Sequence, residues 1–238
     1  MTEVESLVLA RCAGFVFRAP GFAHPSVPAP VRAAFAYAAA LAFASGLPPV
    51  HLAAPLLPFA LAAEATLGAA VGTAAAALYD GAYAGGRLVD DYVGIRASVP
   101  TAGIVAGAGF GRLWSLALTA CFFAFGGHRV LLEAFGATFA LVPPGGFVAG
   151  DGLAQFVVRV PATLFGAATL VAGPALVVAL TAQIALAGIA RAVPRISTFA
   201  LSFPIVLACA LLATLAMIPA VLPVAGRPWL DVSPLRGR

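Results

Sequence analysis

Among the residues able to do chemistry, Glu64 stands apart, because it is a carboxylate inside the apolar run from Leu52 to Tyr79. An acidic group at the centre of a bilayer costs roughly 2.5–3.5 kcal/mol even on a forgiving insertion scale. It therefore needs a partner, a proton or water. It could serve as a proton relay or channel-lining ion pair, or as a buried helix-to-helix hydrogen bond. Asp90 and Asp91 are adjacent, so on a helix they point to different sides and do not form an acid–base pair. His24, His51 and His128 lack metal-ligand spacing, and no GxSxG nucleophile elbow occurs. Cys12, Cys121 and Cys209 lie far apart in apolar stretches without CxxC spacing, which argues against a disulfide framework or a zinc site. They read as small hydrophobes. All 13 basic residues are arginine, which removes P-loop, Schiff-base and pyridoxal chemistry. No basic run marks a nucleic-acid footprint. The expectation is no enzyme, no metal and no cofactor.

The elements that carry these residues are apolar. Of 238 residues, 62% are hydrophobic and 9% charged, with a mean hydropathy of +1.04. A soluble domain carries about 25% charged residues, so lipid or other apolar subunits must cover this chain. A helix crossing the ~30 Å hydrocarbon core needs about 20 apolar residues. Pro161–Ala190 and Ile196–Gly226 contain no ionisable residue and pass that test, and Leu52–Tyr79 passes with Glu64 inside. Leu7–Phe17, Val31–Leu47 and Leu113–Gly127 are short for a span and read as hairpin arms or partner-shielded helices. The expected fold is an all-α membrane protein, a single domain over 1–238, with about six apolar helices arranged as hairpins, some not conventional spans.

The connections are polar or rich in breakers. Arg18–Arg32 holds Pro20, Pro25, Pro28 and Pro30 and cannot continue a helix. Asp80–Arg112 reads as a charged connection, and Thr101–Gly111 within it as a flexible, glycine-rich run around one aromatic. His128–Val142 suits an amphipathic helix closed by Pro143 and Pro144, and Arg191–Arg195 a turn broken at Pro194. Glu3 and Glu5 precede the first apolar run, so that end reads as a helix of the mature chain and not as a signal peptide. Arginines divide seven against five between the two sides of a six-crossing arrangement, which does not fix orientation. Gly68 and Gly72 form a GxxxG pair one turn after Glu64, a spacing that lets backbones approach closely. Gly107-Ala108-Gly109-Phe110-Gly111 lacks the GxGxxG spacing and a following acidic residue, which excludes a nucleotide loop.

Two segments resemble the FliR/SctT family, inner-membrane subunits of the flagellar and injectisome type III export apparatus. The first is Gly126-Gly127-His128, then Leu131, Leu132 and Phe139, ending in Leu141-Val142-Pro143-Pro144-Gly145. The second runs Ala187-Gly188-Ile189-Ala190-Arg191-Ala192-Val193-Pro194-Arg195-Ile196, followed by Phe199 and Ser202-Phe203-Pro204-Ile205. Arg11–Pro20 is similar to the family's opening, and Pro28, Val31 and Arg32 to its next step. Glu64 to Gly68 looks like its ExxxG, and Gly86 to Gly94, with Asp90, like an injectisome-type segment. Arg195 stands where the family has glutamine, Val206 where injectisome members often have lysine, and the aspartate-proline after Gly94 is absent. Flagellar and injectisome features are mixed, so the resemblance does not choose between the systems.

What the resemblance implies is an assembly role in the bacterial inner membrane. Such a multi-pass subunit joins P/R-class and Q/S-class subunits, and the switch-type U/B-class subunit, around a pore for unfolded secreted proteins. Its plug loop would comprise Ser98, Pro100, Thr101, Gly107, Gly109, Phe110 and Gly111. Helix packing and assembly would fall to Glu64, Gly68, Gly72, Asp90, Gly94, Gly127, His128, Pro143, Arg191, Pro194, Phe203 and Pro204. The alternative is a small secondary transporter or channel, which would need interrupted helices and a midplane site; Pro174 and Pro204 stand in comparable places in the last two apolar segments.

Overall fold

The computed structural model describes residues 2–24, 27–95, 98–101, 104–107, 109–146, 150–192, 198–221, 223–224 and 230–235. Among these, seven α-helices carry the fold: α1 (Glu3–Arg18), α2 (Ala29–Ala44), α3 (Leu57–Val93), α4 (Phe110–Ala124), α5 (Gly127–Leu141), α6 (Gly150–Ala192) and α7 (Thr198–Val221). The chain has an all-α membrane fold, with one small exception. Between α3 and α4, β1 (Ser98–Thr101) and β2 (Ile104–Gly107) pair antiparallel, Thr101 opposite Ile104 and Ser98 opposite Gly107.

Local chemistry explains most boundaries. Thr2 caps α1: its Oγ1 accepts from the Glu5 amide at 3.3 Å, and Glu5 Oε2 accepts from the Thr2 amide at 2.8 Å. This reciprocal box satisfies two of the donors a helix start leaves orphaned. The proline-rich link ends by opening α2, where proline in the first turn costs no hydrogen bond. α3 stops at Gly94, whose φ of +88° suits a residue without a Cβ.

Two expectations need correction. Asp80–Arg112 is not one connection, because α3 continues as a 37-residue helix to Val93. Its charges are accommodated within the helix, Asp90 by a buried anchor described below and Arg87 by Asp91 four residues on, at 3.9 Å. Nor does the helix of the Pro161–Ala190 segment begin at Pro161, since it starts at Gly150. α6 is a 43-residue helix that includes Pro161 and Pro174, and α7 carries Pro204 and Pro219 inside. Apolar helices tolerate interior proline when neighbours re-satisfy the freed backbone groups.

Three helical stretches are long and apolar enough to cross a membrane: Ala54–Val93, Gly152–Ala192 and Leu201–Val221. At 1.5 Å per residue α3 is about 55 Å long and α6 about 65 Å, against a hydrocarbon core of ~30 Å. Neither is a simple crossing. α1, α2, α4 and α5, of 15 or 16 residues, are short for one.

The chain divides into two compact units. The first comprises Met1–Leu78, Gly126–Thr163 and Arg227–Arg238, and the second Tyr79–Phe125 and Leu164–Gly226. In the first, Leu7, Cys12 and Phe15 of α1 are buried with Leu131 and Phe135 of α5. Phe15 stacks on Phe135 at 4.1 Å, and Phe43 of α2 meets Phe135 edge-on at 5.7 Å. In the second, Val89, Val93 and Phe110 share a core with Ala172, Ala175 and Val206. Large apolar groups remain outside, among them Phe165 (67% exposed), Ile184 (65%) and Leu212 (66%). That surface suits lipid or apolar partners.

Candidate functional site

Two buried carboxylates organise the two units, one in each. In the first unit, α3 lies against α1 through small residues on both helices. A methyl group at Gly68 would overlap the Arg11 carbonyl, one at Gly72 would meet the Phe15 carbonyl at 2.6 Å, and one at Gly14 would overlap the Ala65 carbonyl. This close approach brings Glu64 to Arg11. Arg11 Nε donates to Glu64 Oε2 at 2.5 Å, with the side chains 0% and 3% exposed.

The rest of the cluster belongs to the end of α5. Arg11 Nη1 donates to the Thr138 carbonyl at 3.1 Å and Nη2 to the Val142 carbonyl at 2.9 Å. Its guanidinium carbon lies 4.5 Å from the centre of the Phe139 ring. The Thr138 carbonyl also accepts from the Val142 amide at 2.8 Å, and carbonyls at a helix end carry partial negative charge, so a cation there is favoured. The other Glu64 oxygen, Oε1, accepts from the Gly145 amide at 2.9 Å. Gly145 has φ +77°, so the turn that presents its N–H needs glycine. Pro143 sits in that turn, exposed, and its carbonyl accepts from the Gly146 amide at 2.9 Å. One salt bridge thus ties together α1, α3 and the Pro-Pro-Gly-Gly exit of α5.

In the second unit, Asp90 is fully buried and holds the start of α4. Oδ1 accepts from the Phe110 amide at 2.6 Å and Oδ2 from the Gly111 amide at 3.1 Å. A carboxylate against the first free N–H groups of a helix gains charge-assisted bonds and the favourable end of the helix dipole. Gly109, just before, has φ +109°, and a Cβ there would run into the Asp90 carboxylate. Gly86 of α3 lies opposite the Gly111 backbone, at 2.6 Å from where its own Cβ would stand. Phe110 is 4% exposed in the core. Phe110 and Gly111 therefore belong to anchored helix, while Ser98, Pro100, Thr101 and Gly107 belong to the hairpin. Gly94 and Gly109, both with positive φ, flank it.

The remaining expected residues lie elsewhere. Gly127 is buried and His128 half-buried in the first turn of α5. Arg191 is exposed at the end of α6, Phe203 is 49% exposed, and Pro204 lies exposed inside α7. Pro194 lies outside the described residues. Among the described residues no group of three His, Cys, Asp or Glu could hold a metal ion. Near the C-terminus, Asp231 accepts from Arg159 at 2.7 Å and from the Ser233 amide at 3.0 Å. The hydrogen bonds from Ser233, with Arg159 contributing less, hold its carboxyl below the usual range.

Arg11 is the functional residue that sequence reasoning missed. Its signal was a lone cation inside the first apolar run, matching the lone anion of the Glu64 run. Among curated proteins none matches the chain. The family described as bacterial export proteins, family 1, matches residues 4–231. That match spans both buried clusters, the hairpin and every long helix, and it agrees with the FliR/SctT resemblance of the motifs. The chain belongs to the bacterial export proteins, family 1, and is a membrane protein of a bacterial export apparatus.

Proposed function

We propose that this chain is a structural and gating subunit of a type III protein-export gate, multi-pass in the bacterial inner membrane. It assembles with P/R-class and Q/S-class subunits, and with the switch-type subunit, around a pore for unfolded secreted proteins. It makes and breaks no covalent bonds. The observation that carries the gating role is the hairpin of β1 and β2, whose Ser98–Gly107 stretch holds no charged residue and which leads directly into the start of α4 that Asp90 fixes to α3. A segment held at a rigid base can occupy a pore and move without dismantling the helices around it. The moving part is then the hairpin, and Phe110 and Gly111 are its anchor.

Several features support the assembly role. The short helices and the large exposed apolar groups call for apolar neighbours. The Arg11–Glu64 bridge is fully enclosed by backbone acceptors and donors within its own unit, which suits a lock between helices better than a proton path. A transporter would need broken helices at a midplane site, and α6 and α7 run through Pro174 and Pro204 as continuous helices.

The test is co-purification of the tagged chain from native membranes in mild detergent, with mass spectrometry of what accompanies it. Recovery with P/R-class and Q/S-class subunits in one complex is the expected result. A clean monomer that transports a small solute after reconstitution would overturn it.

A further inference from the structure

From the register of the hairpin we infer that β2 offers an open strand edge onto which an extended segment of the passing polypeptide adds as a third strand. This rests on the export-gate reading above and goes beyond it, since a plug only needs to block.

Two residues separate Thr101 from Ile104, and these two face each other across the ladder. The pair flanking a two-residue connection exchanges both its hydrogen bonds, and pairs alternate from there. In that alternation the facing pair Val99–Ala106 is the next bonded one, and the facing pairs Pro100–Val105 and Ser98–Gly107 are unbonded. Proline supports the same assignment, since it can sit in a ladder only where its missing N–H faces outward. Residues of unbonded pairs turn their N–H and C=O away from the partner strand. On β1 these are Ser98 and Pro100, so that edge offers a single donor. On β2 they are Val105 and Gly107, each with donor and acceptor intact. Proline is a recognised way of blunting an edge, and here it blunts one edge and leaves the other open.

The described packing of β2 is against β1 and the adjoining α4. A two-stranded hairpin is marginal by itself, and a third strand stabilises it. The occupant follows from the chemistry. The segment from Ser98 to Gly107 has no charged residue, so what the edge offers is main-chain hydrogen bonding with a two-residue repeat. That recognises any extended chain regardless of its sequence, as strand addition does elsewhere. A gate passing many unfolded sequences needs such sequence-tolerant recognition, whereas a folded partner pairing through its own edge strand would bring one fixed sequence and gain nothing from that tolerance. We therefore assign the edge to unfolded cargo.

The test uses the full export complex in native membranes, with Val105→Cys in one preparation and Gly107→Cys in a second. A secreted protein stalled in transit carries single cysteines at consecutive positions. Strand pairing requires disulfide formation at every second cargo position, for either edge cysteine. Cross-linking at all neighbouring positions alike would overturn the strand pairing while leaving the gate reading intact. No cross-link from either cysteine while export proceeds would overturn both. In parallel, Val105→Pro removes one outward N–H without touching the ladder and should slow export about fivefold, the worth of one hydrogen bond. Val105→Ala trims the same side chain but keeps the N–H, so it should lose clearly less export than Val105→Pro, and equal loss in both variants would also refute the inference.

Discussion

Arg11 and Glu64, 53 residues apart in sequence, form a salt bridge that water does not reach, and every remaining polar atom of the pair that the structure describes in contact meets backbone. Burying two charges is expensive, and only dense hydrogen bonding makes it tolerable. Removing one partner should therefore be severe. Glu64→Ala leaves a guanidinium enclosed without its counter-ion and should cost about 3–5 kcal/mol, read as a large fall in the melting temperature of the detergent-solubilised chain. Glu64→Gln keeps acceptors for Arg11 and should cost less. Arg11→Met combined with Glu64→Met should recover part of the loss, and strict additivity of the two single losses would show the pair uncoupled.

The glycines of the long helices separate into contact and open positions. An added Cβ at Gly68 meets the α1 backbone, whereas at Gly188 nothing lies within 4 Å. Gly68→Ala should destabilise the isolated chain by about 1–3 kcal/mol through forced separation of α1 and α3. Gly188→Ala should instead be neutral, or stabilise by up to about 1 kcal/mol, because alanine restricts the unfolded backbone. Chemical denaturation in mixed micelles would read both. Equal destabilisation would mean that the α1–α3 approach is looser than described.

Much of this was legible from residue types, and the failures have physical causes. Apolar length located the long helices, and the proline-glycine cluster after Leu141 marked the end of α5. Charge was misleading at Asp80–Val93, because the sequence cannot show that Asp90 finds donors on α4, and the single i,i+4 spacing of Arg87 and Asp91 is a weak helix signal beside so many charges. Apolar length understated α6, whose first turns before Pro161 carry Asp151, Gln155 and Arg159 and so do not read as part of an apolar span. The hairpin was hidden because two strands of only four residues, one interrupted by Pro100 and the other ending in Ala-Gly, show too little alternation to register. Glu64 was recognisable as a residue in need of a partner, but a pairing across 53 positions is a property of the fold.

Acid should loosen the C-terminal segment selectively. Asp231 is held below its ordinary carboxylate range by Ser233, with Arg159 second. A depressed folded-state value means the stabilisation is complete above the unfolded pKa, about 3.8, and is lost as pH falls through the folded value. The pair is more than half exposed, so its contribution is small and screened by salt. Hydrogen exchange at Leu235, which is 1% exposed, should therefore be flat from pH 8 to 5 once corrected for intrinsic rate, and rise below about pH 4. Asp231→Asn should raise it at neutral pH. A rise centred near pH 6 would point to a histidine instead.

Asp90 makes the sharpest claim about gating, because its two oxygens hold the first turn of α4 at the end of the hairpin. Asp90→Ala removes both acceptors from a buried helix start, a capping loss of about 1–2 kcal/mol, and the Phe110 and Gly111 amides should lose protection from exchange. Gly109→Ala should act in the same direction, since its φ of +109° disfavours a side chain and its Cβ would collide with the carboxylate. Neither change touches the hairpin, so export should persist while the closed complex leaks ions in planar-bilayer recordings. Deleting 98–107 should also leak but leave Phe110 and Gly111 protected, because the anchor survives. Extending the deletion through Gly111 removes the donors that Asp90 needs and should cost assembly as well. If Asp90→Ala exposed the α4 amides without raising conductance, the anchor would be structural only, and the hairpin would have to be held shut from elsewhere in the complex.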